Sequence, residues 1–268
     1  MQSDAEHGAQ PAIDTTVPHS ARIWNYWLGG KDNFAADRAA GDQYRATFPG
    51  VVELARASRA FLKRSVRYLA GEAGVRQFLD IGTGLPTFDN THEVAQRVAP
   101  DARVVYVDND PLVLVHARAL LVGTPEGRTA YIDADLHDPD RILIEAGKTL
   151  DFAAPIAIIL SGVLGHVPDT EEARGIVKRL LDAVPSGSYL AINDGTSEDA
   201  VDEAEKAAEE YAETGAVAYN NRRPEEIASF FAGLELVEPG VVSVPLWRAD
   251  PGDDVHELGA FGGVGRKL

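Results

Sequence analysis

The 268-residue chain sets 42 Asp and Glu against 25 Lys and Arg, a formal net charge of −17, and combines 45% hydrophobic with 25% charged residues. That balance is ordinary for a globular protein with a buried core, and the excess negative charge repels a phosphate backbone, so nucleic acid is excluded as an expected partner. No cysteine is present, which rules out disulfides, thiolate nucleophiles and cysteine-bound metals.

In chain order, residues 1–17 are polar and aperiodic and read as a flexible tail. They lack the basic start and apolar core of a signal peptide. The most apolar run, PIAIILSGVLGHV, is too short and too interrupted to span a bilayer, so the expectation is a cytoplasmic protein with no membrane partner.

Residues 18–75 read as an N-terminal helical cap. Within it, the aromatic segment WNYWLGGKDNFAADR breaks at Gly29-Gly30. The pair reads either as a C-cap and turn, with Asp32 or Asn33 capping the next helix, or as a place where backbone approaches a ligand. On the second reading Arg22 and Tyr26 join Gly30 at a cleft. Further on, Val51, Leu54, Ala55, Ser58, Leu62, Val66 and Leu69 fall on one helical stripe, stopped by Gly71 and Gly74.

After Arg76 short apolar runs alternate with amphipathic segments. QFLDI (77–81), RVVYVD (103–108), TAYID (129–133), IAIIL (156–160) and YLAIND (189–194) are strand candidates of the kind covered on both faces. Helix starts lie between them: Asn90 with Glu93, Asp110 before Pro111, and Asp169 with Glu172.

The final third holds an acidic helix candidate (197–215), a second helix (223–234), and late strands within 234–244 and 261–268 joined by a loop, hence antiparallel. The expected fold is therefore a Rossmann-like, doubly wound α/β sheet of seven strands, mostly parallel with a C-terminal antiparallel hairpin. Residues 18–268 form one domain, whose core is 76–268.

Ligands in such sheets bind outside the carboxyl ends of the strands. Asp80, Gly82, Thr83 and Gly84 end the first strand, and Asp108 with Asn109 ends the second. Asp135 and Leu136 follow the third; Ser161 and Gly162 close the fourth. A carboxylate at Asp108 suits ribose hydroxyls. A dinucleotide fingerprint needs a third glycine and an immediate helix N-terminus for pyrophosphate, whereas here Leu85-Pro86-Thr87 follows and the helix starts near Asn90. Asp80 instead suits a ligand with positive charge, such as an amino-acid ammonium beside a nucleoside; S-adenosylmethionine fits that description.

LDIGTG, VDNDP and DADL, in this order and spacing, resemble class I S-adenosylmethionine-dependent methyltransferases, and the late hairpin ending in GGVGRK is similar to that family's antiparallel seventh strand. Together with ARIWNYWLGGKDNFAADR, LPTFDNTHEVAQ and ELVEPGVV, residues 18–268 resemble a bacterial methyltransferase family largely known as a domain of unknown function. The resemblance implies S-adenosylmethionine as cofactor, with Asp80, Gly82 and Gly84 around its methionine portion. It also implies Asp108 at the ribose, Asn109 beside the adenine, and Asp135 with Leu136 at the adenine edge. Pro86 departs from the small residue usual at its position.

Methyl transfer needs a general base only when the acceptor is protonated at working pH, so no catalytic residue is assigned. His166, Asn193, Asp194, Tyr219 and Asn220 are candidates for acceptor contact, each equally readable as a packing or turn residue, and His92 reads as either a site residue or part of a helix cap. No metal-ligand spacing is present and none is expected. The leading reading is a methyltransferase acting on a small-molecule acceptor. The alternatives are a non-catalytic S-adenosylmethionine-binding sensor or scaffold, and an NAD-dependent oxidoreductase.

Overall fold

A computed structural model describes residues 13–120, 123–196, 206 and 218–268. The aromatic segment forms α1 (Ser20–Trp27), followed by α2 (Ala35–Thr47) and the long α3 (Val51–Gly71). Gly29, at φ +81°, turns the chain after α1. The N-cap of α2 is Phe34 rather than Asp32 or Asn33, and its N–H is taken by Asp37 at 2.8 Å. Ile23, Trp27, Ala40, Tyr44, Val51 and Ala55 pack these three helices together.

The alternating region forms β1 (Gln77–Ile81), α4 (Thr91–Val98), β2 (Arg103–Asp108), α5 (Pro111–Leu120), β3 (Arg128–Asp133), α6 (Pro139–Ala146), β4 (Ala157–Ser161), α7 (Thr170–Asp182) and β5 (Tyr189–Gly195). The helix starts are chemical. Glu93 accepts from Asn90 N–H at 2.8 Å, Asp110 accepts from Leu112 N–H at 2.9 Å, and Asp169 accepts from Glu171 and Glu172. The acidic helix expected over 197–215 lies outside the described residues, Lys206 apart. Then come α8 (Pro224–Ser229), β6 (Leu234–Leu236), β7 (Val242–Ser243) and β8 (Ala260–Lys267).

The sheet runs β3-β2-β1-β4-β5-β8-β6, with β7 also on β8. β1 to β5 are mutually parallel and β8 is antiparallel to β5, β6 and β7. The sheet therefore has eight strands where seven were expected. The segment 234–244 does not run as one strand, because Pro239 has no N–H for the ladder and Gly240, at φ +91°, turns the chain with its N–H on Val237 O at 2.8 Å.

Strand alternation divides the core into two faces. Leu79, Val105 and Ile158 pack against Ile142, Ile176, Leu180 and Ile227 from α6, α7 and α8. Phe78, Val104 and Ile159 pack against Phe61, Leu62, Val66 and Val94 from α3 and α4. The expected cap is thus in part a layer of the fold, since α3 covers one sheet face and carries α1 and α2 at its start. Alternation also puts Asp80 on the Phe78 face, beneath α3. Strand order reverses between β1 and β4, which places a crevice outside their carboxyl ends. Among the described residues no helix is long and apolar enough to cross a membrane.

Candidate active site

A cleft of about 220 Å³ occupies that crevice, and every strand-end residue singled out in the sequence lines it: Asp80, Gly82, Thr83, Gly84, Asp108, Asn109, Asp135, Leu136, Ser161 and Gly162. After β1 the chain turns through Gly82 (φ +73°) and Gly84 (φ +65°), backbone angles that favour glycine. The turn is tied to β2 by Gly82 N–H on Val107 O at 2.8 Å. A Cβ on Gly82 would lie 2.3 Å from Val163 Cγ2, so β1 and β4 approach too closely for any side chain there.

Asp80 is buried, with its Oδ2 accepting from Thr91 Oγ1 at 2.6 Å. Burial pushes its carboxyl up to about 6, against the opposing pull of the Thr91 bond and the Arg59 charge. Asp108 is also buried, and its carboxylate accepts from Gly84 N–H at 2.7 Å and Asp110 N–H at 3.0 Å. At the neighbouring strand ends Asn109 Nδ2 donates to Asp135 at 3.0 Å, and Ser161 Oγ donates to Asn193 Oδ1 at 2.6 Å.

The cap side differs from the sequence expectation. Arg22, Tyr26 and Gly30 do not line the cleft. Arg22 is buried among other groups: Nη1 donates to Asp14 O at 3.0 Å and lies 3.8 Å from Asp37, while Nε, which makes no hydrogen bond, faces Asp110 at 3.3 Å. Tyr26 OH donates to Asp42 at 2.8 Å. Gly30 packs on Asn25, whose side chain would lie 2.3 Å from an added Cβ. That glycine pair shapes a turn around Asn25, and Asn25 faces the cleft.

In their place the cleft is roofed by His19, Ser20, Trp24 and Asn25 from the start of α1, and by Ser58 and Arg59 from α3. Arg59 Nη2 donates to Asn90 Oδ1 at 3.1 Å, while its Nε is buried without a partner, and its charge is close enough to Asp80 to stabilise that carboxylate. One sequence signal pointed here: Ser58 is a polar residue on an otherwise apolar stripe. Nothing in the pattern distinguished Arg59 from Arg22.

His92 does not line the cleft. It is buried, its backbone N–H donating to Tyr106 OH at 2.7 Å and its Nδ1 lying 2.8 Å from the same oxygen. Asn193, Asp194 and Tyr219 line a second cavity behind the cleft, and His166 lines both. Asn220 lines neither, its N–H bonding Gly165 O at 2.8 Å.

The donor set fits an amino-acid nucleoside. Asp80 and Arg59 line the cleft at the glycine turn with opposite charges, as a zwitterionic head requires, and Asp108 lines it one strand away, where a ribose would lie. It does not fit a pyrophosphate: the N-terminus of α4 is reached only after Pro86, and it is filled by its own Asn90–Glu93 box.

The sequence model of the S-adenosyl methyltransferase family matches residues 6–268. The chain belongs to that family. It is a methyltransferase. A DUF574 family protein from Streptomyces avermitilis MA-4680 is 48% identical, with 96% of this chain and 100% of that chain covered and a TM-score of 0.92. A candidate methyltransferase from Thermobifida fusca YX is 44% identical over 98% of this chain and 99% of that one, with a TM-score of 0.89. An O-methyltransferase family 2 protein from Planctomyces limnophilus DSM 3776 is 19% identical, with 87% of this chain and 67% of that chain covered and a TM-score of 0.50, a likeness of fold alone. No curated protein matches.

Proposed function

We propose that the protein binds S-adenosylmethionine in the cleft at the β1/β4 switch point and transfers its methyl group to a small-molecule acceptor. The observation that carries this reading is that Asp80 and Arg59, of opposite charge, line the cleft beside the Gly82–Gly84 turn, with Asp108 at the end of the next strand. On this reading Asp80 takes the ammonium and Arg59 the carboxylate of the methionine portion. Asp108 accepts from the ribose, while Asn109, Asp135 and Leu136 border the adenine. When bound, the donor supplies an electrophilic methyl group on a sulfonium. The chain's task is to hold that group against an acceptor and keep water out, and Trp24, which lies over Gly162, is placed to do the second. We treat residues 18–268 as one methyltransferase domain, with 18–75 supplying both a core layer and the roof.

Calorimetric titration with S-adenosylmethionine, S-adenosylhomocysteine and NAD tests the first step: saturable binding of the first two is expected, and binding of NAD alone would overturn it. Incubating the protein with methyl-labelled donor and a small-metabolite fraction then separates an enzyme from a sensor that binds without transferring.

A further inference from the structure

Behind the donor cleft lies a cavity of about 50 Å³ that shares Ser20, Trp24, Ser58, Gly162 and His166 with it. Its outer wall is aromatic. Trp24 packs edge-on to Trp27 at 5.8 Å, Trp27 leans on Tyr44 at 5.3 Å, and Tyr44 meets Phe48 at 6.4 Å. Val51 and Leu54 complete that side, and the end of β5 forms the floor. At about 50 Å³ the cavity takes a ring only together with the space at its junction with the cleft.

The polar groups of the cavity restrict what can enter. Among the described residues no lysine or arginine lines it, so a carboxylate or phosphate would be buried without a partner. Asp194 is buried, with Tyr219 OH donating to Oδ1. Burial pushes its carboxyl up to about 6, as it does for Asp80, and its Oδ2 is buried without a partner, so this end of the cavity suits a hydrogen-bond donor. At the junction of cavity and cleft, His166 Nδ1 lies 3.0 Å from Ala218 O. A carbonyl oxygen only accepts, so Nδ1 carries the proton and Nε2 holds a lone pair that no described residue takes. Tyr219, 5.1 Å away at 86° to the imidazole, fixes the ring, and burial lowers its pKa, keeping it neutral.

We infer that this cavity holds the methyl acceptor and that the acceptor is a small uncharged phenol, its ring among Trp24, Trp27, Tyr44 and Phe48 and its hydroxyl on Nε2 of His166. The inference rests on the cleft being the S-adenosylmethionine site. The phenol oxygen forms a bond to the methyl carbon as the methyl–sulfur bond breaks, its electron pair staying on sulfur. The hydroxyl proton passes to His166 Nε2 and from there to solvent. A hydroxyl needs that proton removed to be a good nucleophile near neutrality, which is the service an unpaired imidazole nitrogen provides. A neutral aromatic amine needs no such base, and an alkylammonium drawn to Asp194 is the competing occupant that the test below separates.

The test begins by saturating the protein with S-adenosylhomocysteine, followed by calorimetry. Phenol, benzylamine and benzoate are then each titrated into that complex while the His166 imidazole nitrogens are followed by NMR. Phenol is expected to saturate and shift Nε2, and to be the preferred acceptor of labelled methyl. Leu54→Trp, which fills the cavity away from the cleft, is expected to abolish phenol binding and retain S-adenosylhomocysteine. His166→Asn is expected to slow transfer about a hundredfold or more and to make the remaining rate rise with pH as phenolate forms. Failure to bind S-adenosylhomocysteine would overturn the reading of the cleft and this inference with it. If S-adenosylhomocysteine binds, then preference for benzylamine or benzoate, absence of phenol binding, or phenol binding that leaves Nε2 unmoved overturns the inference alone.

Discussion

The carboxylate of Asp108, at the end of β2, accepts a hydrogen bond from the backbone N–H of Gly84 at 2.7 Å. One side chain thereby fixes the turn after β1, and on the proposed function its remaining lone pairs take a ribose. Asp108→Ala removes both functions and leaves the Gly84 and Asp110 N–H groups without their acceptor. S-adenosylmethionine affinity is expected to fall by more than tenfold, about 1.4 kcal/mol. Calorimetry measures it, and an unchanged dissociation constant would show that Asp108 does not hold the ligand.

The two glycines of that turn are unequal. Both have positive φ, so alanine at either is strained by on the order of 1–3 kcal/mol. A Cβ on Gly82 also meets Val163 at 2.3 Å, whereas one on Gly84 has nothing within 4 Å. Gly82→Ala is therefore expected to lower the melting temperature more than Gly84→Ala, and equal losses would refute close packing between the β1 and β4 turns.

On the proposed function, Arg59 rather than Arg22 meets the methionine carboxylate. Arg59 lines the cleft with Asp80, whose carboxylate its charge favours, whereas Arg22 does not line it. Replacing Arg59 with methionine should weaken S-adenosylmethionine at least tenfold, the scale of a charged hydrogen bond. Binding of 5′-methylthioadenosine, which has no amino-acid head, should be unchanged. Equal weakening of both ligands would mean that Arg59 shapes the cleft without contacting a carboxylate.

Arg22 is instead a structural charge. It lies against Asp37 and Asp110, whose side chains are 0% and 1% exposed. Arg22→Ala leaves two buried carboxylates short of their cation, at a cost of about 3–5 kcal/mol. Urea unfolding should show that loss; a stable variant with impaired ligand binding would return Arg22 to the site.

These assignments mark how far the sequence could be read. The strand ends were legible because parallel strands covered on both faces are continuous apolar runs, and a doubly wound sheet dictates that Asp80, Asp108, Asp135 and Ser161 end on one rim. The roof was not legible. Which side of α1 and α3 faces the cleft depends on how those helices cross the sheet, and periodicity reports only which side is buried. Buried Arg22 and half-buried Arg59 look alike in that pattern. The late segment carries one strand more than its apolar run suggests for a local reason, since Pro239-Gly240 divides it into β6 and β7, both laid antiparallel on β8. Tyr219 looked like packing because its bond to Asp194 joins residues 25 positions apart.

Asp80 makes the cleft sensitive to pH. Burial raises its carboxyl from the ordinary 3.8 to about 6, so the folded protein holds that proton more tightly than the unfolded chain. The stability associated with it is complete below about 3.8 and is lost as pH rises through about 6. A cationic ammonium acts in the opposite direction, because it binds the ionised form. Between those two pH values S-adenosylmethionine binding should therefore expel a proton. Its affinity should fall on acidification below about 6, by up to about tenfold per pH unit. Dissociation constants measured across that range, with calorimetry in two buffers of different ionisation enthalpy, give the slope and the proton count. Asp80→Asn should flatten the slope, while Asp194, which titrates in the same range from the second cavity, stays as the internal control. A slope that persists in Asp80→Asn would assign the proton to another group and remove Asp80 from the ammonium.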